Sequence, residues 1–162
     1  MLDLTLRSRG KPRAFPDSGS AQRQGIPIGM PLPFALLAAA TFTLCSDAPR
    51  INCVVDGDTF WLRGEKVRIA DINAPETHQA ACPAEQALGQ RATLRLVALL
   101  NAGPFELAVL GRETDRYGRA LRVVKRGGRS LGAQLVSEGL AEPWRGRRSD
   151  WCAALAVGRL PG

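Results

Sequence analysis

The sequence predicts an α+β domain in which short strands outnumber helices, and three observations carry that reading. Residues 50–71, RINCVVDGDTFWLRGEKVRIAD, hold three β-like runs separated by DGD and RGEK, whose Asp and Gly supply the chemistry that tight turns require. Residues 81–103, ACPAEQALGQRATLRLVALLNAG, set Ala87, Leu88, Ala92, Leu96, Leu99 and Leu100 near a 3.6-residue period, with Asn101 and Gly103 as a stop, which is an amphipathic helix. FELAVLG and ALRVV then read as two strands flanking RETDRYGR, and SLGAQLVSEGLA reads as a second helix opening at an N-cap serine, Ser130. A short third helix fits SDWCAALA. This order of elements fits an α+β domain with two to three packed helices, and a small five-stranded barrel is one way to close strands so short.

The flanks differ from this core. Residues 1–29 are rich in Arg, Gly, Ser, Pro and Gln without apolar periodicity, the composition of a disordered extension. Residues 30–48 begin with MPLPFALLAAATFTLC, an apolar run of secretory length that is short for a membrane span and reads as a signal, an uncleaved anchor or the first buried element of the domain. Cleavage contexts follow Ala38–Ala40 and Ser46–Ala48. The domain itself is expected over 49–152, with a tail over 153–162. Four cysteines, Cys45, Cys53, Cys82 and Cys152, include no CxxC pair, which argues against a thiolate metal site and for two disulfides in an oxidising compartment. Cys82–Cys152 would pin the helical layer and Cys45–Cys53 would staple the first strand, but three connectivities are open to four cysteines. Export to the periplasm or medium is the expectation.

At 162 residues the chain holds one domain plus an extension. Its net charge of +7 comes from 22 basic residues against 15 acidic ones, and 19 of the 22 are Arg. That balance suits an anionic partner, because guanidiniums fork onto phosphate oxygens. From Arg116 to Arg129 six basic residues occur with no acid, though strand alternation divides such a run between two faces.

Three short patterns carry the chemistry: DGDT (Asp56 to Thr59), RIADINAPE (Arg68 to Glu76) and TDRYGR (Thr114 to Arg119). Pro75 ends a strand and leaves Glu76 in the following loop, where a rigid sheet can hold a reactive group. In their order and spacing these patterns resemble the staphylococcal nuclease-like, or thermonuclease, family, from about Ile51 through Ala141. The resemblance implies a five-stranded OB-type barrel and calcium-dependent hydrolysis of phosphodiester bonds in DNA or RNA. It implies Asp58 as a Ca²⁺ ligand, Arg68 and Arg119 as phosphate-binding arginines and Glu76 as general base. It also implies Tyr117 as a substrate-phosphate contact, with Arg116 where a lysine is frequent. The chemistry is coherent: paired guanidiniums neutralise the phosphate as charge builds in the transition state, a hard cation assists, and a carboxylate takes a proton from water.

Two positions depart from the family pattern. Asn73 stands where the family has its second ligand aspartate, so the site would bind calcium weakly and with help from substrate phosphate; Asp71 is the nearby candidate substitute. After the second helix the chain reads EPWRGRRSDWC, where Trp144 is a candidate base-stacking residue and Arg145, Arg147 and Arg148 are candidates to follow a nucleic-acid backbone. Packing alone is the competing reading of Trp144 and Trp151. His78, the sole histidine, reads as an exposed loop residue. The resulting expectation is a monomeric nuclease, touching a membrane only through an uncleaved N-terminal segment. The alternative is a binding module that keeps the barrel and arginines but has lost catalysis at Asn73.

Overall fold

The computed structural model describes residues 40–158. The extension at 1–29, most of the apolar part of 30–48, and the last residues of the tail lie outside them. Three short strands open the main sheet as a meander: β2 (Cys53–Asp56), β3 (Thr59–Leu62) and β4 (Glu65–Ile69). The β3–β4 hairpin turns on Arg63 and Gly64, both at positive φ, the geometry that matches strand twist. Arg63 is held there by its N–H, which donates to the Asn52 side chain at 2.8 Å.

The helix α1 (Pro83–Asn101) follows, with Pro83 in its first turn, where a missing N–H costs nothing. It buries Leu88, Ala92, Leu96, Leu99 and Leu100 as the periodicity predicts; Ala87 instead faces solvent. Two more strands, β6 (Glu106–Ala108) and β7 (Ala120–Arg126), pair with each other, and β7 lies parallel to β4. The second helix, α2 (Leu131–Ser137), is capped as expected: Ser130 Oγ accepts from Ala133 N–H at 3.0 Å. A third, α3 (Trp151–Ala156), is capped by Asp150.

These five strands are the five expected, and four two-residue strands accompany them: β1 (Thr43–Leu44), β5 (Ile72–Asn73), β8 (Arg129–Ser130) and β9 (Glu142–Pro143). The main ladder runs β1-β2-β3-β4-β7-β6, with β8 on β7, while β5 and β9 pair separately. No pairing joins its two ends among the described residues, so the sheet is mixed and open by hydrogen bonding where closure was expected. Parallel β1–β2 and β4–β7 pairings need crossovers, and α1 lies in the second of these.

The folded unit also begins earlier than Pro49. Phe42 is 2% exposed and meets Phe60 and Phe105, with all three ring pairs 5.9–6.4 Å apart. Its backbone is clasped by the Asn101 side chain at 2.8 and 2.9 Å. Cys45–Cys53 then fixes β1 beside β2, and Cys82–Cys152 joins the start of α1 to α3.

Two glycines let α1 sit directly on the loops that carry acidic residues. A Cβ at Gly57 would lie 2.6 Å from the Ala92 Cβ, and one at Gly89 would lie 2.5 Å from the Glu76 carbonyl oxygen and 2.8 Å from that of Pro75. Backbone cannot yield as a side-chain tip does. Gly89→Ala therefore destabilises the domain by about 1–3 kcal/mol despite alanine's better helix propensity, as urea denaturation would show. Unchanged or increased stability would mean that α1 is not seated on this loop.

Candidate active site

Asp58 is the centre of the site. It is 5% exposed, forms an ion pair with Arg68, accepts from Thr59 Oγ1 at 2.9 Å and accepts from Ala74 N–H at 2.9 Å. The DGDT turn is thereby tied to β4 and to the loop that follows β5. Arg68 is 7% exposed, and its face stacks on the Trp144 ring at 5.7 Å. A buried guanidinium so braced keeps its charge aimed in one direction.

The acid side contains more than Asp58. Asp56 accepts from Asp58 N–H at 3.1 Å. Burial first, then the Asp58 carboxylate and more weakly that of Glu76, push its pKa from 3.8 to about 7, although the backbone hydrogen bond acts in the opposite sense. Three carboxylates therefore share one field that lacks a compensating cation on Asp56. The loop that carries Glu76 is held by Glu85 of α1, whose carboxylate accepts from Ala81 N–H at 2.8 Å and Glu76 N–H at 3.3 Å. Glu76 itself pairs with Arg148. Asn73, 2% exposed, lines the same cavity of about 260 Å³ as Glu76 and Arg148.

On the basic side, Asp115 shapes a turn that presents Arg116, Tyr117 and Arg119. Its carboxylate accepts from the Tyr117 and Arg119 backbone N–H groups at 2.9 and 3.0 Å and from Arg119 Nε at 2.7 Å. Burial alone would raise the Asp115 pKa; these bonds together outweigh it and lower it. Tyr117 is 67% exposed, with the guanidiniums of Arg116 and Arg119 lying 4.8 and 5.6 Å from its ring centroid. Arg68, Arg119, Tyr117, Trp144 and Arg148 all line one groove of about 1130 Å³. Cation-attracting carboxylates and an anion-attracting groove thus meet at Arg68 and Arg148.

Residues 66–152 match the family described as Staphylococcal nuclease homologue. The chain belongs to that family. It is 37% identical over 105 residues to a Micrococcal nuclease of Shigella flexneri, an alignment covering 57% of this chain and 55% of that protein. It is 32% identical over 96 residues to an Uncharacterized endonuclease of Haemophilus influenzae, covering 59% and 47%. The chain spans about half the length of the curated relatives it matches.

Within this staphylococcal nuclease-type domain, Asp58, Asn73, Glu76 and Arg68 come together, and Arg119, Arg116, Tyr117 and Trp144 line the adjoining groove. Asp71 does not join the acidic group. One of its carboxylate oxygens accepts from Ser130 Oγ at 2.6 Å and the other sits beside Gly132, so it belongs to the start of α2. The two tryptophans divide between the competing readings: Trp151 is buried at 4% exposure, and Trp144 is 42% exposed. Arg126 and Arg122 have structural partners, since Arg126 donates to the Leu99 carbonyl near the end of α1 and to the Gly103 carbonyl just beyond it, and Arg122 donates to the Glu113 carbonyl. His78 is exposed.

Three residues of the site are not among those the sequence singles out. Asp56 lies in the DGDT motif beside Asp58 without a sequence mark of its own. Glu85 has a signal, a Glu three residues after the helix N-cap Cys82, as in a capping box. Glu142 reaches the site only through chain reversal, and nothing in local spacing marks it; Arg148, expected to follow a nucleic-acid backbone, also pairs with Glu76.

The raised Asp56 pKa has a definite sign for stability. Below about pH 4 both folded and unfolded states are protonated and the carboxyl costs nothing; between about pH 4 and 7 the unfolded state ionises while the folded state resists, so stability falls across that window and levels off above it. In buffer with chelator, Asp56→Asn is expected to be more stable than wild type by on the order of 1 kcal/mol at pH 8 and no more stable near pH 4. Denaturant melts at the two pH values check this, and an equal effect at both would show that Asp56 is not the titrating group.

Proposed function

We propose that the chain is a calcium-dependent nuclease that hydrolyses phosphodiester bonds of DNA or RNA. The observation that carries this reading is the placement of Arg68. It is buried between Asp58 and Trp144 while it lines the groove, so an anion-binding cation stands beside a group of carboxylates. Binding alone needs no carboxylate next to phosphate; hydrolysis needs one to accept a proton.

A hard divalent cation fits the acid side. Asp58 supplies a charged oxygen, Asn73 a neutral one, and Asp56 is raised by burial first and then by repulsion from Asp58, a repulsion that a cation would relieve. Bound there, Ca²⁺ would neutralise phosphate charge and act as a Lewis acid. The protein's own residues do the rest. Arg68 and Arg119 fork onto the nonbridging oxygens of the scissile phosphate, with Asp115 holding Arg119 in aim. Tyr117 and Trp144 offer rings to flanking nucleotides at the rim of the groove. Glu76 takes the proton of the attacking water as the P–O bond to the leaving nucleotide breaks. In the free protein Arg148 occupies Glu76. Arg148 is the exposed member of that pair and already lines the groove, so the pair contributes about 0–1 kcal/mol and yields when a substrate phosphate draws Arg148 away from Glu76.

The deciding experiment is cleavage of single-stranded DNA and RNA oligonucleotides by the oxidised chain, with Ca²⁺ or with chelator. Cleavage is expected only with Ca²⁺, and Glu76→Ala is expected to lower kcat by about 10²–10⁴ while oligonucleotide affinity stays within a few-fold. Binding without cleavage in either condition would make the domain a nucleic-acid-binding module, the reading that neutral Asn73 favours.

Export fits the two disulfides. Of the two cleavage contexts, the one after Ala40 keeps Phe42 and Cys45, which the core and the first disulfide use, whereas the one after Ala48 removes them. The exported protein is therefore expected to begin at Thr41. Mass spectrometry reads this directly, and a start at Pro49 or an intact N-terminus would overturn it.

A further inference from the structure

Asn73 and Glu142 are opposite one another in the small β5–β9 ladder and are 2% and 5% exposed. Asn73 Nδ2 donates to Glu142 Oε1 at 2.8 Å, and Ser149 Oγ donates to Glu142 Oε2 at 2.7 Å. An ionised carboxylate can only accept, so the amide must turn its nitrogen toward Glu142. The carbonyl oxygen of Asn73, with no hydrogen bond among the described residues, is left as the free polar end of a side chain that lines the cavity with Glu76. Both oxygens of Glu142 are engaged by Asn73 and Ser149, so Glu142 acts through Asn73.

We propose that Glu142 is a positioning residue for the cation site, holding the Asn73 amide so that its carbonyl oxygen is presented to the metal. The inference deepens the metal-dependent hydrolase reading and rests on it. The negative charge associated with this ligand position stands one residue further out, on the neighbouring strand. A carboxylate accepting from Nδ2–H polarises the amide and makes its oxygen a better donor to a cation, as outer carboxylates do for other ligands. Asn73 is therefore matched to Glu142. An aspartate at 73 would face a second carboxylate across 2.8 Å in a buried ladder, where like charges cannot both ionise cheaply. Exchanging both members reverses the hydrogen bond instead: a glutamine at 142 can donate to an aspartate at 73 and accept from Ser149.

The test uses the oxidised full chain, titrated calorimetrically with CaCl₂ alone and melted in chelator. Glu142→Gln retains an acceptor for Asn73 and should change calcium affinity less than about 3-fold, whereas Glu142→Leu frees the amide and should weaken it about 10-fold or more. In the metal-free melts, Asn73→Asp should lower Tm by roughly 4–8 °C, and Asn73→Asp combined with Glu142→Gln should recover most of that loss. Wild-type calcium affinity in Glu142→Leu, with wild-type binding measurable, overturns the positioning role and leaves the hydrolase reading standing. Should Glu142→Leu not fold, the double substitution decides: no recovery of Tm overturns the pairing. Absence of calcium binding by the wild type overturns the metal reading and this inference together, while cleavage assays judge the hydrolase separately.

Discussion

A single buried carboxylate, that of Asp58, holds the architecture of the site. It connects the turn after β2, the guanidinium on β4 and the backbone after β5. Burying such a charge is costly, and here the cost is met by an opposite charge and two hydrogen-bond donors rather than by water. Removing Arg68 would leave Asp58 uncompensated, so the same ion pair that steadies the loops keeps an arginine at the wall of the groove. Stability and anion binding are coupled through one side chain.

The surrounding packing serves that contact. Gly57 and Gly89 bring α1 against both acid-bearing loops without an intervening Cβ, and Glu85 from the first turn of α1 ties down the amides of the Glu76 loop. The aromatic cluster of Phe42, Phe60 and Phe105 and the apolar face of α1 make a core that needs none of the site's charges. A rigid core and a charge-rich rim meet along one helix.

How far this was legible follows from the range of the interactions. The five longer strands, α1 and the Ser130 cap are encoded in local periodicity and turn chemistry, and they were read correctly from residues a few positions apart. The two-residue strands are set by partners far along the chain: β5 and β9 pair Asn73 with Glu142 across 69 residues, and no window reveals that. Asp71 is near Asn73 in sequence and was a candidate substitute on that ground alone, but the chain turns between β4 and β5 and delivers Asp71 to α2. Barrel closure was inferred from strand length, which does not specify whether the last strand reaches the first. In the site, Arg68, Glu76 and Arg119 stand out in the sequence by residue type and order, and the structure places Arg68 and Arg119 on one groove with Glu76 paired to Arg148 of the same groove, whereas Asp56 required knowledge of burial and neighbouring charge.

The segment from Trp144 to Cys152 turns these separate pieces into one site. Its start is fixed by Trp144 N–H donating to the Asp71 carbonyl at 2.9 Å, and its end by the Cys82–Cys152 disulfide and the buried ring of Trp151. Between these anchors, Ser149 satisfies Glu142 and Arg148 reaches Glu76. In the same stretch Arg145, Arg147 and Arg148 are exposed and bring three like charges close together in sequence. A cross-link spanning 70 residues limits the unfolded chain by roughly 4 kcal/mol in the entropic view. Its local consequence is more specific: it joins the start of α1, whose Glu85 holds the Glu76 loop, to α3, which directly follows the loop that carries Arg148. Oxidation therefore bears most directly on the relative position of the acidic and basic walls, while the aromatic core, built from Phe42, Phe60 and Phe105, draws on other contacts.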